Sequence, residues 1–167
     1  AMAHGYFKVE GKPMAVLCHG TVGIQHAAMA IYNAYCDRVP VYMLAGNTLD
    51  ATERRPGVEW SHSVQDAAAM IRDYIKWDDY PMSLQHFAES AVRAYKIALT
   101  PPCEPVLLVA DIDLQEDPIH AEGLKIPKLA KSVPPQGDRA ALAEAAKWLA
   151  NAETPVRAWP MTSWWIS

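Results

Sequence analysis

The sequence has no apolar stretch approaching the roughly 20 residues needed to cross a bilayer. It has no run of one charge sign either: 15 Lys and Arg stand against 19 Asp and Glu, a formal net charge of −4. A basic nucleic-acid footprint is therefore missing, and the balance excludes DNA and RNA as expected partners. Cysteine is scarce. Cys18, Cys36 and Cys103 are odd in number and widely spaced, which fits reduced thiols in a cytosol and not a disulfide framework. There is no CxxC pair, and His4, His26, His62, His86 and His120 lack the spacing of metal ligands, so no metal site is expected in these residues. The start, Ala1-Met2-Ala3-His4-Gly5-Tyr6, shows no basic stretch followed by an apolar one, so no secretory signal is read there. A cytoplasmic location is the expectation. Internal repeats and low-complexity tracts are also missing. What is present is a chain of 167 residues, 51% of them hydrophobic, enough for one domain with a core of its own.

Gly11-Lys12-Pro13 leads into the apolar run Met14 to Cys18, a turn feeding a buried strand. His19-Gly20-Thr21-Val22-Gly23 breaks that pattern as a turn. From Ile24 to Tyr35 small and apolar residues recur at helical spacing, closed by Asp37-Arg38. Pro40 to Ala45 reads as a second buried strand, ended by Gly46-Asn47. Strand, turn, helix, strand is a βαβ unit, for which parallel strands and a right-handed crossover are expected. Residues 47–62 read as a loop, Gln65 to Arg72 as a short helix and Tyr74 to Trp77 as a strand. Ser83 caps an amphipathic helix carrying Leu84, Phe87, Ala91, Tyr95 and Ala98, which Pro101-Pro102 stops. Val106 to Ala110 is a further buried strand, ending at Asp111. Leu114 to Pro135 is linker-like, and Asp138 caps a last helix. The pattern predicts an α/β fold: a parallel sheet with helices on both faces. Ligands then bind at the C-terminal ends of the strands, where His19 to Gly23 and Gly46-Asn47 lie.

The Gly20-Thr21-Val22-Gly23 turn allows two readings, a phosphate cradle at a helix N-terminus or a tight strand-to-helix turn. His19 is either a ligand-facing or a structural histidine. A Cys18–His19 nucleophile and base is rejected, because neighbours on a strand point to opposite faces. Arg54-Arg55 fits an anion contact or a solvated pair. Trp164-Trp165 reads as an exposed apolar terminus or a partner contact.

Taken together, Met2 to Phe7 with Gly11-Lys12-Pro13, the strand Val16 to His19, the turn through Gly23, Ala34-Tyr35 with Pro40, Leu44-Ala45-Gly46-Asn47, Val58-Glu59, Asp66-Ala67-Ala68, Lys76-Trp77 and Pro105 to Val109 occur in a familiar order and spacing. They resemble the N-terminal pyrimidine-binding domain of the thiamine-diphosphate enzymes, and within them the acetolactate synthases and benzoylformate decarboxylases. The resemblance implies the thiamine-diphosphate-binding fold, incomplete at its N-terminus: the family's cofactor-activating glutamate would fall before residue 1. It implies a domain over residues 1–115, a linker over 116–136, and over 137–167 the start of a central domain with an atypical tail.

The resemblance further implies thiamine diphosphate as cofactor, with Mg2+ bound by a domain beyond this chain. Flavin, as in some synthases, is open but unsupported. The implied chemistry is decarboxylation of a 2-keto acid, followed by protonation or carboligation, in a homodimer or homotetramer, with this chain inactive alone. His19 falls where the decarboxylase group has an active-site histidine. Gly20, Thr21, Gly23, His26, Gly46 and Asn47 fall at implied cofactor-binding positions, with Gly23 at the second glycine of the synthases' Gly-Pro-Gly turn. His26 departs from the Asn usual in both groups. Ser61 and His62 match a segment lining the substrate pocket, although a histidine in a solvated loop is the alternative for His62. A stand-alone, non-catalytic α/β binding or interaction module is the rival reading. A dinucleotide-binding oxidoreductase lacks its spaced glycines.

Overall fold

In the computed structural model, residues 1–50, 52–54, 62–120, 122–130, 133 and 135–156 are described. The apolar runs become strands β1 (Met14–Cys18), β2 (Val41–Asn47), β3 (Trp77–Asp79) and β4 (Val106–Asp111). They form one four-stranded sheet in the order β1-β2-β4-β3, every pair parallel. In register, Met14 faces Val41, Tyr42 faces Val106, and Trp77 faces Val106 from the other side.

Alternation along the inner strands divides the core in two, because successive side chains point to opposite faces. Val41, Met43, Ala45, Leu107 and Val109 pack with Ile24, Ile31 and Ala34 of helix α2 (Gly20–Cys36). Val106 and Leu108, with Tyr42 and Leu44, pack with Ala94 and Ala98 of helix α3 (Leu84–Leu99). This is the expected α/β sheet with a helix on each face. The edge strand β1 is covered on one side only: Val16 and Cys18 join the α2 cluster, while Leu17 is 79% exposed.

Helix α3 begins as expected, with the Ser83 hydroxyl accepting from the His86 N–H at 3.2 Å. Other boundaries differ from the sequence reading, each for a local reason. The chain opens with helix α1 (Met2–Glu10), which runs past Ala3 because Ala3 and Phe7, one turn apart, both meet the core. Helix α2 begins at Gly20, so residues 20–23 are its first turn and not a loop. The helix expected over Gln65 to Arg72 is two 3-10 turns, Ala68–Met70 and Arg72–Tyr74. Here backbone groups are taken by side chains: the Tyr80 hydroxyl accepts from Ala68 N–H at 2.8 Å and Asp66 from Ala69 N–H at 3.2 Å. Arg72 bonds the same Asp66 carboxylate through two nitrogens at 2.8 Å, and this guanidinium is the main cause that lowers the Asp66 carboxyl to about 2. Strand β3 lies later than expected, at Trp77–Asp79. Its last residue, Asp79, accepts from the buried Ser90 hydroxyl and lies 3.1 Å from His86 Nε2, which ties β3 to α3. Part of the linker-like stretch is a short helix, α4 (Ile112–Glu116), started by Asp111.

Residues Ala1–Ala130 form one compact unit and Lys131–Ser167 a second. The second contains helix α5 (Arg139–Asn151), begun by Asp138, whose carboxylate accepts from Ala141 N–H at 2.8 Å. Trp164-Trp165 lies outside the described residues.

Gly5 offers a direct check on α1. It lies mid-helix, and a Cβ built there meets nothing within 4 Å. Gly5→Ala is expected to stabilise the fold by about 0.5–1 kcal/mol, since alanine loses less backbone freedom on folding. Thermal denaturation should show a midpoint raised by about 2–4 °C; an unchanged or lowered midpoint would mean that α1 does not form independently of its neighbours.

Candidate functional site

Because all four strands are parallel, their carboxyl ends share one edge of the sheet, where α/β proteins place ligands. At this edge β1 gives way to α2, and β4 to α4. A cavity of about 120 Å3 lies there, walled by His19 and Gly20 from the β1–α2 junction and by Gly46 and Asn47 from the end of β2. These four residues were singled out by the sequence. Thr48, Ile112, Gln115 and Glu116 complete the wall and were not. The signal that marks α4 is Asp111, whose carboxylate accepts from Ile112 N–H at 3.0 Å as a helix-starting residue does and also from Leu49 N–H at 2.9 Å. A larger cleft of about 450 Å3, lined by Pro13, Ala15, Tyr42 and Tyr95 among others, lies near the strands' opposite ends.

His19 caps α2 through its backbone alone, without a side-chain cap bond. Its ring is committed elsewhere: Nε2 lies 3.0 Å from Nδ1 of His62, the rings edge to face with centroids 5.2 Å apart. The first turn of α2 holds His62 in place. Thr21, itself buried, donates to the His62 carbonyl twice, from its N–H at 3.0 Å and from its hydroxyl at 2.6 Å. Gly20 has φ +43, and a Cβ there would lie 2.9 Å from the same carbonyl. Only glycine admits both that backbone and that approach. His62 itself sits at φ 53, in the left-handed region that a non-glycine residue enters at a cost.

Gly23 serves packing. A Cβ there would meet the Cys18 carbonyl carbon at 3.0 Å, so α2 can lie close over the end of β1. Asn47 is buried and spends its amide on Val64, donating to the carbonyl at 2.8 Å and accepting from the N–H at 3.2 Å. It anchors the segment that carries His62. Gly46 leaves room for Gln115, whose amide nitrogen would stand 2.9 Å from a Cβ there. His26 lies exposed on α2, off the cavity wall. Ser61 and Arg55 lie outside the described residues. Arg54 turns back on its own segment, donating to the carbonyls of Thr48 at 2.8 Å and Leu49 at 3.2 Å. Burial pushes the Cys18 thiol up, which weakens it further as a nucleophile. Among the described residues no three metal-ligating side chains converge, and no helix is long and apolar enough to cross a membrane.

A parallel α/β sheet with a polar, glycine-lined crevice at the carboxyl ends of its strands defines the class: a small-molecule-binding α/β domain. Residues 1–71 match the family model described as thiamine pyrophosphate enzyme, N-terminal TPP binding domain. Over 157 residues the chain is 27% identical to a benzoylformate decarboxylase of Pseudomonas aeruginosa, covering 93% of this chain and 29% of that protein. Over 120 residues it is 28% identical to a protein of the same organism named as a 2-ketoarginine decarboxylase, covering 71% of this chain and 21% of that one. A solved structure, the thiamine diphosphate-dependent 4-hydroxybenzoylformate decarboxylase of Rhodococcus jostii RHA1, superposes with a TM-score of 0.70 at 24% identity, over 91% of this chain and 28% of its own. That last likeness is one of fold. These likenesses identify residues 1–71 as resembling the N-terminal TPP-binding domain of the thiamine pyrophosphate enzymes. The chain spans less than a third of the length of the relatives it matches.

That likeness implies thiamine diphosphate as the cofactor. A cavity of about 120 Å3 falls short of the roughly 300–1,000 Å3 of whole small-molecule sites. It is the size of a part of such a site, bounded by the Gly20 and Gly46 backbones and the polar side chains of Thr48 and Gln115.

Proposed function

We propose that this chain is part of a thiamine-diphosphate-dependent decarboxylase of a 2-keto acid, in which it forms one wall of the active site and supplies His19 as the proton donor. The carrying observation is the position of His19, at the carboxyl end of β1 on the cavity wall, beside a second imidazole. The names of the two curated relatives, both decarboxylases of 2-keto acids, support the substrate class. Bound at this edge, thiamine diphosphate supplies the electron sink for the pair left when carbon dioxide departs. The chain's own residues orient and exclude water, and His19 delivers a proton to the carbon that lost carbon dioxide. Gly20, Thr21, Gly23, Gly46 and Asn47 shape the wall. His26 contributes from outside it, and Ser61 and His62 are assigned to the substrate pocket. Magnesium is held by residues beyond these 167.

The same reading includes assembly of copies. Helix α2 contains no charged residue over Gly20–Cys36, yet Met29 is 71% and Tyr32 49% exposed. A face that meets itself across a two-fold axis must avoid like charges, and this one has none. This supports a homodimer or homotetramer, in a cytoplasm whose reducing conditions suit cysteines without disulfides. The domain division runs 1–115, linker 116–136, and the start of a central domain from 137.

Calorimetric titration with thiamine diphosphate and Mg2+ tests the reading. The full-length protein is expected to bind tightly and to need the metal. This chain alone should bind at least about 100-fold more weakly, having lost roughly 2.7 kcal/mol of contacts made elsewhere in the protein. Equal affinity for the isolated chain would sink the one-wall reading.

A further inference from the structure

We propose that His19 and His62 act as one proton-holding unit that takes up a first positive charge well before a second, with His62 as the residue that positions the transferable proton on His19 Nδ1. Its use in turnover rests on the reading of His19 as proton donor; the pair itself stands on geometry.

Two imidazole nitrogens 3.0 Å apart can share one hydrogen and no more. With both rings protonated, two N–H groups would point at each other at that distance. The neutral pair therefore holds two ring protons, and the cationic pair three. In the neutral pair each ring adopts the Nε2–H tautomer that free histidine favours: His19 Nε2–H donates to His62 Nδ1, and His62 keeps its proton on Nε2. The hydrogen bond at one ring nitrogen decides what the other nitrogen carries. Because Nε2 of His19 is committed to His62, the third proton enters at His19 Nδ1. Delivery of that proton to the carbon centre returns the pair to neutrality, with no other bond made or broken in the protein.

The surroundings support a built arrangement. Three consecutive residues serve it: the His19 ring, the Gly20 backbone at φ +43 that admits the His62 carbonyl, and the Thr21 N–H and hydroxyl that bind this carbonyl. From behind, Asn47 fixes Val64, two residues beyond His62. Among the described residues the titratable groups on the elements around the pair include the Cys18 thiol at the end of β1, the Asp111 carboxylate at the end of β4, Asp113 and Glu116 of α4, and the exposed His26 on α2.

Nitrogen-15 NMR of the imidazoles, followed through a pH titration of this chain, tests the proposal. The pair is expected to take up one proton in a first step and the second at least about tenfold more weakly, as strongly coupled sites do. His19 Nε2 should stay protonated throughout. In His62→Leu, His19 should titrate in one step and lose that fixed tautomer, while His62→Gln, which keeps an acceptor, should restore the Nε2 preference. Independent titration of the two rings in the wild type, or a His19 signal unaffected by His62→Leu, overturns the proposal. Dispersed amide spectra of the variants verify folding, and a coupled first step in the wild type decides the matter even where a variant fails to fold. None of these measurements needs substrate. Failure of the donor reading appears separately, as unchanged turnover of a His19 variant while the wild-type pair still titrates as a unit.

Discussion

Replacing His19 by alanine in the full-length protein is expected to lower kcat by about 10²–10⁴-fold, the usual loss when a positioned acid or base is removed. Cofactor affinity should change far less, because the wall at this point is built from the Gly20 and Gly46 backbones as much as from the ring. Folding should be nearly unaffected. His19 makes no side-chain cap bond, and the bond from Gly23 N–H to its carbonyl at 2.8 Å is a backbone bond that alanine keeps. His19→Asn sharpens the test. Asparagine adds a side-chain cap to α2 and should stabilise the helix start by about 1 kcal/mol while leaving turnover as low as in the alanine variant. Steady-state rates with a 2-keto acid, read beside thermal stability, separate the two effects. Turnover within twofold of the wild type in both variants would remove His19 from the chemistry.

The second large effect falls on stability. Gly20→Ala should cost about 2–5 kcal/mol. A left-handed backbone at φ +43 penalises a Cβ by about 1–2 kcal/mol. That Cβ would also stand 2.9 Å from the His62 carbonyl, and relieving such overpacking costs about 1–3 kcal/mol more. The neighbour here is a backbone atom held by two bonds from Thr21, not the tip of a flexible side chain, so it yields poorly. The denaturant midpoint should fall with an unchanged m-value, and the imidazole bond between His19 and His62 should be lost with it. A midpoint shift below about 0.5 kcal/mol would show that the start of α2 relaxes into an ordinary helical turn.

The inner strands and α3 were legible because their signals are local. Pro40–Ala45 and Val106–Ala110 are continuous apolar runs, as strands buried on both faces require, and Met14–Cys18 is another, although as the edge strand it is covered on one side only. Ser83 and Pro101-Pro102 bracket α3 within its own sequence. Four cavity residues, His19, Gly20, Gly46 and Asn47, were legible from the rule that such sheets bind ligands at their carboxyl ends. What stayed hidden depends on partners far along the chain. The 3-10 turns after Asp66 are imposed by Tyr80, 14 positions away. Strand β3 contains Asp78 and Asp79 and so reads as polar; its place comes from pairing with Val106 to Leu108 and from the Ser90 and His86 contacts to Asp79. The approach of His62 to His19 spans 43 positions and rests on a positive φ that the residue type does not announce. Asn47 was marked as a cofactor ligand by its location, whereas its amide is taken up by Val64.

The segment leaving β2 is fastened at its near end, where Asp111 takes the Leu49 N–H, and at its far end, where Thr21 and Asn47 grip His62 and Val64. For anyone redesigning the protein, the stretch between is an exchangeable cassette. Lengthening a flexible loop twofold costs only about 0.6 kcal/mol in closure entropy, so the clamps tolerate inserts of varied length and composition. This cassette can then be traded among relatives, leaving the paired imidazoles where they stand.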